Sequence, residues 1–240
     1  MRPAEYACFS PEENLAIDEY LLLRAERGAG GESIRFWESR EVFVVLGRAG
    51  KVSEECYTER CASDGVKVIR RISGGGSVLQ GPGCLNYSLI LSYREEAPQR
   101  DIEKSYTYVL DRVLTVLESL GIKAARQGLS DLAAGSMKFS GNSQARKKRY
   151  FLHHGTILYG FNTGLIERYL KHPSDEPLYR GNRPHSSFVS NIDIKKELFA
   201  GEMEKAFSAA EKASIGRRAS REIKELIRRR YISEAWNRCF

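Results

Sequence analysis

Three consecutive glycines, Gly74 to Gly76, follow a pair of arginines in the segment RRISGGGSVLQGPG at residues 70–83. Glycines let a ligand approach the backbone closely, and consecutive N–H groups can cradle an anionic oxygen. Arg71 adds a planar guanidinium that suits a carboxylate or a phosphate. The segment predicts an anion-binding loop, with an unliganded glycine-rich hairpin turn as the alternative. It matches neither a Walker A loop nor GxGxxG, so a P-loop or Rossmann dinucleotide site is not supported.

A second segment, SDLAAGSMKFSGNSQ at residues 130–144, carries a lysine and an aspartate. Lys138 stands beside the small residues 140–143, which we interpret as a turn, and an ammonium held there would face a developing negative charge. Asp131 would either orient this lysine or help to hold a metal on phosphate oxygens. A solvated surface lysine is the alternative, but the composition of the surrounding segment favours a functional one.

Two adjacent histidines, His153 and His154, precede Gly155 in an apolar segment. Neighbouring residues of a strand point to opposite faces, so the pair cannot provide two ligands to one metal. We expect one histidine to pack structurally, and His154 with Gly155 to face a pocket. Because His172 and His185 complete no ligand set at zinc spacing, no histidine metal centre is predicted.

The five cysteines are scattered and form no CxxC pair, which argues against a structural zinc site or a disulfide framework. No GxSxG elbow occurs, so a serine nucleophile has no support from sequence. Cys84 follows the glycines and is most simply interpreted as a small buried thiol. The sequence thus offers no clear nucleophile.

Helices and strands must position these segments. A capping box at Ser10 and Glu13 predicts the first helix, and an Asp101 cap with periodic apolar residues predicts a long helix that ends at Gly121. The expected helices are residues 11–27, 53–62, 101–121 and 163–171, with a helical segment over the last forty residues. The expected strands are residues 34–37, 42–46, 66–71, 85–92 and 151–158, with further short strands and turns across 123–159. This irregular mixture predicts an α+β fold with a mixed, largely antiparallel sheet flanked by helices.

The composition sets the broad class. The chain has 240 residues, 42% of them hydrophobic, so a core can form without disulfides. No apolar run approaches the ~18 residues of a spanning helix, and the first residues make a poor signal peptide, so we expect a cytoplasmic protein with no membrane partner. The net charge of +7 favours an anionic partner. The basic residues are spread out, with clusters at 146–149 and 228–230, which argues against nucleic acid without excluding it.

Three motifs resemble, in their order along the chain and in their residues, the catalytic domain of the lipoate–protein ligase A family, within the biotin/lipoate ligase superfamily. They are RRISGGGSVLQGPGCLNYS, SDLAAGSMKFSGNSQ and HHGTILY, and a weaker fourth element runs from Tyr179 to Phe188. The resemblance covers about residues 11–193. It implies a fold similar to the catalytic domains of class II aminoacyl-tRNA synthetases. We expect residues 1–200 to form this domain and residues 201–240 to form a helical extension that packs on it.

The resemblance implies a two-step reaction. Lipoate and Mg·ATP give lipoyl-adenylate and pyrophosphate, and a lysine of a carrier protein then attacks to form an amide and release AMP. ATP and Mg²⁺ are therefore the expected cofactors, and lipoate is the expected substrate. The expected partner is a lipoyl carrier: glycine-cleavage H-protein, an E2 lipoyl domain or a dedicated lipoate-binding protein. The sequence does not choose among these carriers, or between lipoate and octanoate.

Carried over by motif position, the resemblance also implies a set of site residues. Lys138 is the expected catalytic residue, in contact with the acyl carbonyl and phosphate oxygens. The residues expected to bind ATP and lipoyl-adenylate are Arg71, Ser73, Gly74, Gly75, Gly76, Ser77, Val78, Leu79, Asn86, Asp131 and Lys138. No side chain is expected to be a metal ligand except, as a candidate for Mg²⁺, Asp131. Val78, Leu79 and the Phe36–Trp37 strand would line a slot for a C8 chain, at ~0.8 kcal/mol per buried methylene.

Three alternatives stay open. Related octanoyltransferases share the fold and use a cysteine, but residues 126–130 contain none, which leaves Cys84 as the candidate for a thioester. The short region after residue 200 raises the option of a catalytic subunit that needs a separate accessory protein. A non-catalytic nucleotide- or nucleic-acid-binding module is the third alternative. In the ligase interpretation, the cluster Arg146–Arg149 would suit an acidic carrier domain.

Overall fold

The computed structural model describes residues 9–93, 100–207, 211–212 and 217–239. The α-helices are α1 (Pro11–Glu26), α2 (Val52–Glu55), α3 (Thr58–Ser63), α4 (Ile102–Ser119), α5 (Gly164–Tyr169), α6 (Lys196–Ala206), α7 (Arg217–Leu226) and α8 (Glu234–Asn237). The β-strands are β1 (Ser33–Trp37), β2 (Phe43–Leu46), β3 (Lys67–Arg70), β4 (Val78–Gln80), β5 (Cys84–Ser92), β6 (Ala125–Gln127), β7 (Asp131–Ala134), β8 (Met137–Arg146), β9 (Tyr150–Leu158) and β10 (Glu211–Lys212). The short 3₁₀ helices are Leu178–Arg180 and His185–Ser187, and a π-helical turn, Ile227–Tyr231, continues α7.

The described strands form two sheets. The larger has seven strands in the order β10-β1-β5-β9-β8-β7-β6, and the smaller has three in the order β3-β2-β4. The neighbours in the larger sheet are antiparallel, apart from β10 and β1. In the smaller sheet β2 is parallel to β3 and antiparallel to β4. The predicted α+β class with a mixed, largely antiparallel sheet is confirmed.

The larger sheet is covered on both faces. On one face, alternate residues of β5 such as Leu85 and Tyr87 pack against α4 and α6. On the other face, Ile90 of β5 joins α1, α7 and residues of the smaller sheet in a second apolar cluster. Cover on both sides explains why the residues of β5 are buried as far as Leu91, and it makes this strand a central strand of the larger sheet.

Both predicted helix caps are present. The Ser10 hydroxyl accepts from the Glu13 N–H at 3.2 Å, and the Glu13 carboxylate accepts from the Ser10 N–H at 2.9 Å, which satisfies two otherwise unpaired donors of α1. Asp101 accepts from the Lys104 N–H at 2.8 Å and begins α4. Among the residues described, no helix has the length and apolarity required to cross a bilayer.

Two predicted elements differ from the structure. The helix expected over residues 53–62 is divided into α2 and α3, because Cys56 forms a bridge with Leu170 and the Tyr57 N–H donates to the Tyr169 carbonyl at 2.9 Å. These backbone groups pair with the end of α5 and cannot continue a helix. The turn expected at 140–143 is wrong, since these residues lie within the ten-residue strand β8, paired with β7 and β9.

The C-terminal segment lies against α1 and the smaller sheet. Ile223 and Tyr231 are buried in the same apolar cluster as α1, and the Tyr231 hydroxyl donates to Glu19 at 2.8 Å. Arg230 also pairs with Glu19. The division into a catalytic domain of residues 1–200 and an extension of residues 201–240 stays our proposal.

Candidate active site

A cavity of about 460 Å³ is bordered by both sheets, the glycine loop and the segments that follow β6 and α5. One part of its wall is apolar and includes Leu15, Trp37 and Val45. Another part carries the polar and charged side chains described below. Of the residues predicted for the site, those that line the cavity are Arg71, Gly75, Gly76, Ser77, Val78, Leu79, Asn86, Asp131, Lys138, His154 and Gly155.

The glycine loop is residues 71–77, between β3 and β4, and it is not a hairpin. Strand β2 lies between β3 and β4 in the smaller sheet, so the loop crosses over the end of β2. Gly75 has a φ of 81°, which disfavours any other residue there. The unliganded hairpin considered from sequence is therefore wrong, and the loop is instead an exposed crossing at the edge of the cavity.

The Arg71 guanidinium shapes this loop from within. Its Nε donates to the Ser73 hydroxyl at 2.9 Å, and Nη2 donates to the carbonyls of Gly76, at 2.9 Å, and Gly74. Burial lowers the pKa of Arg71 to about 10. The Arg71 guanidinium, which the sequence suggested as a ligand-binding group, instead donates to carbonyl oxygens of the loop itself.

One N–H group of the loop already holds an anion. The Ser77 N–H donates to Glu55 Oε2 at 2.7 Å, and Glu55 lines the cavity. The Ser77 hydroxyl is buried and has no hydrogen-bond partner among the residues described. Sequence analysis missed Glu55, since nothing in its local sequence distinguishes it from a surface acid of a short helix.

Arg70 is a second residue whose role the sequence did not indicate. It is fully buried, and its Nη1 donates to the carbonyls of Gly47 and Gly50 at 2.9 and 2.7 Å. Its Nε and Nη2 donate to the carbonyls of Trp236 and Asn237, each at 3.0 Å. Arg70 therefore joins the C-terminal segment to the loop after β2, immediately beside the glycine loop.

Lys138 and Asp131 form an ion pair at the cavity wall. Lys138 Nζ lies 2.8 Å from Asp131 Oδ1, and the Tyr179 hydroxyl donates to Asp131 Oδ2 at 2.8 Å. Burial and the Asp131 charge both raise the pKa of Tyr179. Each carboxylate oxygen of Asp131 thus has a partner, which favours the lysine-orienting role over the metal-ligand role. In the described part of the chain, no group of three or more His, Cys, Asp or Glu side chains could hold a metal ion.

The two histidines face opposite sides of β9. His153 is buried between Tyr87 and Tyr106, and burial lowers its pKa to about 3, so it packs as a neutral ring. His154 faces the cavity, with Nε2 at 2.6 Å from the Ser73 hydroxyl. This hydrogen bond connects β9 to the glycine loop and places Ser73 behind the loop, outside the cavity lining.

A buried ion pair between Asp18 and Arg35 lies next to His154, on the side of the ring away from Ser73. Asp18 Oδ2 lies 3.7 Å from His154 Nδ1, and Asp18 Oδ1 accepts from Arg35 at 2.7 Å. Burial opposes ionisation of Asp18, but Arg35, the nearby His154 and the hydrogen bond from Ser88 keep its pKa below the usual value. Helix α1 therefore reaches the glycine loop through a continuous series of polar contacts.

Asn86 belongs to a closed polar ring on the cavity wall. Its amide donates to Gln80 at 2.9 Å, Gln80 donates to Thr156 at 2.7 Å, and Thr156 donates back to Asn86 at 2.6 Å. The ring connects β4, β5 and β9. Gly155 is adjacent, and a Cβ there would lie 2.7 Å from the Tyr87 hydroxyl, so only glycine fits.

The predicted slot for an acyl chain is partly correct. Trp37, Val78 and Leu79 line the cavity, together with Leu15 and Val45. Phe36 does not, because neighbouring residues of β1 face opposite sides of the sheet and Phe36 packs in the cluster around α4.

The basic cluster Arg146–Arg149 lies away from the cavity. It begins at the end of β8 that is far from Lys138, and the cavity lining on this strand ends at Ser143, three residues before Arg146 or about 10 Å at ~3.3 Å per residue. Arg146 donates to Gln144 and Ser105 at 2.7 and 2.9 Å. The cluster therefore does not line the cavity, and its contact with an acidic carrier domain stays a prediction.

Cys84 is wholly buried beneath the smaller sheet, in an apolar cluster with Leu79 and Phe161. Burial raises the pKa of its thiol, which opposes formation of the nucleophilic thiolate. None of the cysteines within the described ranges lines the cavity. The thioester proposed for Cys84 from sequence has no access to an acyl donor.

If the cavity carries out acyl transfer, Cys84→Ser is therefore expected to keep the rate within about twofold of wild type, because the buried thiol does not line the cavity. Some loss of stability, about 1 kcal/mol, is expected from placing a hydroxyl in an apolar cluster. The check is a rate assay beside intact-protein mass spectrometry after incubation with acyl donor. An acyl adduct on Cys84, or loss of activity in both Cys84→Ser and Cys84→Ala, would reinstate the thioester.

The architecture and the cavity indicate the structural class of the domain, and the family follows from a sequence comparison. A mixed sheet flanked by helices, with a lysine and a glycine loop on one cavity, agrees with the α+β fold that the resemblance implies, which is similar to the catalytic domains of class II aminoacyl-tRNA synthetases. The sequence model of the family described as "Lipoyl protein ligase A/B catalytic domain" matches residues 10–211. The chain belongs to this family.

Curated relatives include ligases and a transferase. The chain is 28% identical to the probable lipoate-protein ligase A of Mycoplasma genitalium, over 95% of this chain and 69% of the relative. It is 34% identical to the putative lipoate-protein ligase A of Aeropyrum pernix, over 66% of this chain and 58% of the relative. It is also 29% identical to the octanoyltransferase LipM of Carboxydothermus hydrogenoformans, over 97% of this chain and 96% of the relative. The chain thus spans 69% of the length of one of these ligases and 58% of the other.

Solved structures share the fold. The bi-partite lipoate protein ligase of Thermoplasma acidophilum, described together with its E2 lipoyl domain, superposes with a TM-score of 0.79 at 22% identity, over 95% of this chain and 91% of that chain. A lipoate-protein ligase A bound with ATP superposes with a TM-score of 0.79 at 23% identity, over 95% of this chain and 93% of that chain. At these identities the likeness concerns the fold alone.

Proposed function

We propose that the protein is a lipoate–protein ligase, which activates lipoate with Mg·ATP to lipoyl-AMP and transfers the lipoyl group to a lysine of a carrier protein. One observation carries the proposal: Lys138 and an N–H-bearing glycine loop border the same cavity as an apolar slot. These are the two environments that an acyl-adenylate combines, an apolar tail and an anionic phosphate.

The apolar slot suits the acyl chain. Trp37, Val45 and Leu79 line it, and each buried methylene of a C8 chain contributes ~0.8 kcal/mol. Burial against the same apolar surface would stabilise either a dithiolane ring or a simple alkyl end of the acyl chain. The slot therefore supports a medium-chain acyl substrate, and we propose lipoate, in line with the ligases among the relatives.

The glycine loop and Lys138 suit the phosphate end. The Ser77 N–H already donates to a carboxylate oxygen of Glu55, so this end of the loop offers a donor to an anionic oxygen, as a phosphate would require. In the first step, a lipoate carboxylate oxygen attacks the α-phosphorus of ATP, and pyrophosphate leaves. Lys138 would stabilise the negative charge shared by the carboxylate and the α-phosphate in the transition state.

In the second step, the amine of the carrier lysine attacks the acyl carbonyl, the C–O bond to AMP breaks, and an amide forms with loss of a proton. The acceptor is itself the nucleophile, so the enzyme needs none. Mg²⁺ would arrive with the phosphates of ATP, since Asp131 is already paired with Lys138 and Tyr179. The carrier would be a lipoyl domain or protein, as in the archaeal system whose ligase shares this fold.

The test is pyrophosphate release by the purified chain with ATP, Mg²⁺ and lipoate, without a carrier. Lipoate-dependent release is expected, and a matched reaction without lipoate gives the background. If release requires a separate accessory protein, the chain is the catalytic part of a two-part ligase. If no release occurs with or without such a protein, the ligase proposal is wrong.

Octanoyl transfer is a second candidate, because the octanoyltransferase relative matches over 96% of its own length. It requires an acyl donor thioester and no ATP. The burial of Cys84 and the absence of cysteine at residues 126–130 argue against it. An assay with octanoylated carrier protein and no ATP distinguishes it from the ligase.

A further inference from the structure

The segment from residue 177 to residue 190 holds Lys138 by its backbone. The Lys138 N–H donates to the Phe188 carbonyl at 2.8 Å, and the Ser190 N–H donates to the Lys138 carbonyl at 2.9 Å. Lys138 also forms a parallel bridge with Val189. The start of β8 is thus paired with β7 on one side and with this segment on the other, which fixes the Cα position of the lysine.

The same segment reaches the side chain of Lys138 through Asp131. The Tyr179 hydroxyl donates to one oxygen of Asp131, and Lys138 Nζ contacts the other, both at 2.8 Å. Asp131 is almost wholly buried, so its carboxylate has few alternative orientations. The hydrogen bond from Tyr179 restricts rotation of the Asp131 carboxylate, so the same oxygen continues to face Lys138.

Tyr179 is itself held in place. Its ring packs on Phe188 with centroids 5.2 Å apart, and its carbonyl accepts from Arg183 at 3.0 Å. The Arg180 and Arg183 guanidiniums lie 4.7 and 5.1 Å from the centre of the Phe188 ring. The hydroxyl of Tyr179 is therefore delivered to Asp131 by a packed element and not by a freely moving loop.

From this geometry we propose that Tyr179 is a positioning residue, which sets the place of the Lys138 ammonium by orienting Asp131. Lys138 meets substrate, whereas Tyr179 acts only through the carboxylate. The reaction in which this matters is the proposed adenylation, and to that extent the inference rests on the proposed function. The placement of Lys138 itself is a property of the folded chain and is measurable without any reaction.

Tyr179→Phe removes one hydroxyl and keeps the ring on Phe188. A matched control exists in Tyr169→Phe, because the Tyr169 hydroxyl donates to Asp64 at 2.9 Å, away from the cavity. The first measurement is the rate at which Lys138 is acetylated by a trace of acetic anhydride, followed by peptide mass spectrometry. We expect the rate at Lys138 to rise about threefold in Tyr179→Phe, because the lysine spends less time against Asp131. The exposed Lys147 serves as internal reference, and Tyr169→Phe should change neither lysine.

The second measurement is the kinetics of lipoate-dependent pyrophosphate release, with the active fraction titrated. We expect kcat per active site to fall about tenfold in Tyr179→Phe with KM for lipoate nearly unchanged, since a misplaced lysine weakens the transition state more than the bound substrate. A purely structural role would lower thermal stability and the active fraction but leave kcat per site as in wild type.

An unchanged acetylation rate at Lys138 in Tyr179→Phe overturns the inference, whatever the kinetics show. An equal rise in Tyr169→Phe also overturns it, because the effect would then be a general loosening of the fold. If the wild-type chain releases no pyrophosphate, the ligase proposal fails separately, and the acetylation rates alone decide whether Tyr179 places Lys138.

Discussion

Lys138→Ala is expected to lower lipoate-dependent pyrophosphate release by about 10²–10³-fold, the typical effect of removing one fixed donor from a developing negative charge. The ammonium lies on the cavity wall, 2.8 Å from Asp131, and it is the group that would meet the charge shared by the carboxylate and the α-phosphate. The measurement is steady-state pyrophosphate release at saturating ATP and lipoate.

Two further variants make the result specific. Lys138→Gln can keep a hydrogen bond to Asp131 without the charge, so a loss as large as in Lys138→Ala assigns the effect to the charge. Lys147→Ala removes an exposed lysine from the β8–β9 turn and should leave the rate unchanged. Thermal unfolding of Lys147→Ala should stay close to wild type, whereas both Lys138 variants leave the buried Asp131 carboxylate without its cation and should lose some stability, so rates are compared per folded enzyme. A Lys138→Ala enzyme with more than a tenth of the wild-type rate would remove this lysine from the mechanism.

Gly47→Ala is the second substitution with a large expected effect. A Cβ on Gly47 would overlap the carbonyl oxygen of Gly75 and lie 2.9 Å from its carbonyl carbon, so the glycine loop would have to move. The contact atoms are backbone and cannot rotate away. We expect pyrophosphate release to fall about 10²-fold, as for a 1 Å displacement of a site element, and stability to fall by about 1–3 kcal/mol.

A glycine of α6 provides the control. A Cβ on Gly201 would meet no atom within 4 Å, and alanine is a better helix former than glycine, so Gly201→Ala should be neutral or stabilising by up to about 1 kcal/mol. The comparison uses kcat/KM for lipoate together with thermal unfolding of both variants. A wild-type kcat/KM in Gly47→Ala would contradict this prediction. It would mean that activity does not require the glycine loop to keep the conformation that its hydrogen bonds with Arg71 set.

Much of the fold could be predicted from local signals. The capping residues Ser10 and Asp101 predicted where α1 and α4 begin. Each cap accepts from an N–H only three residues further on, so the signal is contained in a few consecutive residues. The strands at 34–37 and 42–46 followed from their apolar runs. The turn at 140–143 was wrong because small residues are typical of turns and equally of crowded strands. In β8, Gly141 leaves room for the Lys138 side chain, whose Cε would lie 3.2 Å from a Cβ.

The site was predicted as far as it lies within continuous motifs. The orientation of Arg71 could not be inferred, because it depends on carbonyls presented by the folded loop. Glu55 was missed, and Tyr179 was named only as the start of the fourth element without a role, for a related reason: each is far in sequence from the residue it contacts. The error at Phe36 was avoidable: Trp37 and Phe36 are neighbours in a strand, so only one of them could face the slot.

The contact between Arg70 and the segment of Trp236 and Asn237 has a consequence for biosynthesis. During translation the glycine loop is made long before those residues, whose carbonyls complete the set of acceptors around the Arg70 guanidinium. Until they emerge, a buried arginine beside the loop lacks two of its acceptors. We therefore expect a chain truncated before residue 230 to be less stable around the loop after β2, because a buried guanidinium would lose two hydrogen-bond acceptors there. Residues near the end of the described chain are thus part of the hydrogen bonding that supports a segment folded around β2 and β3.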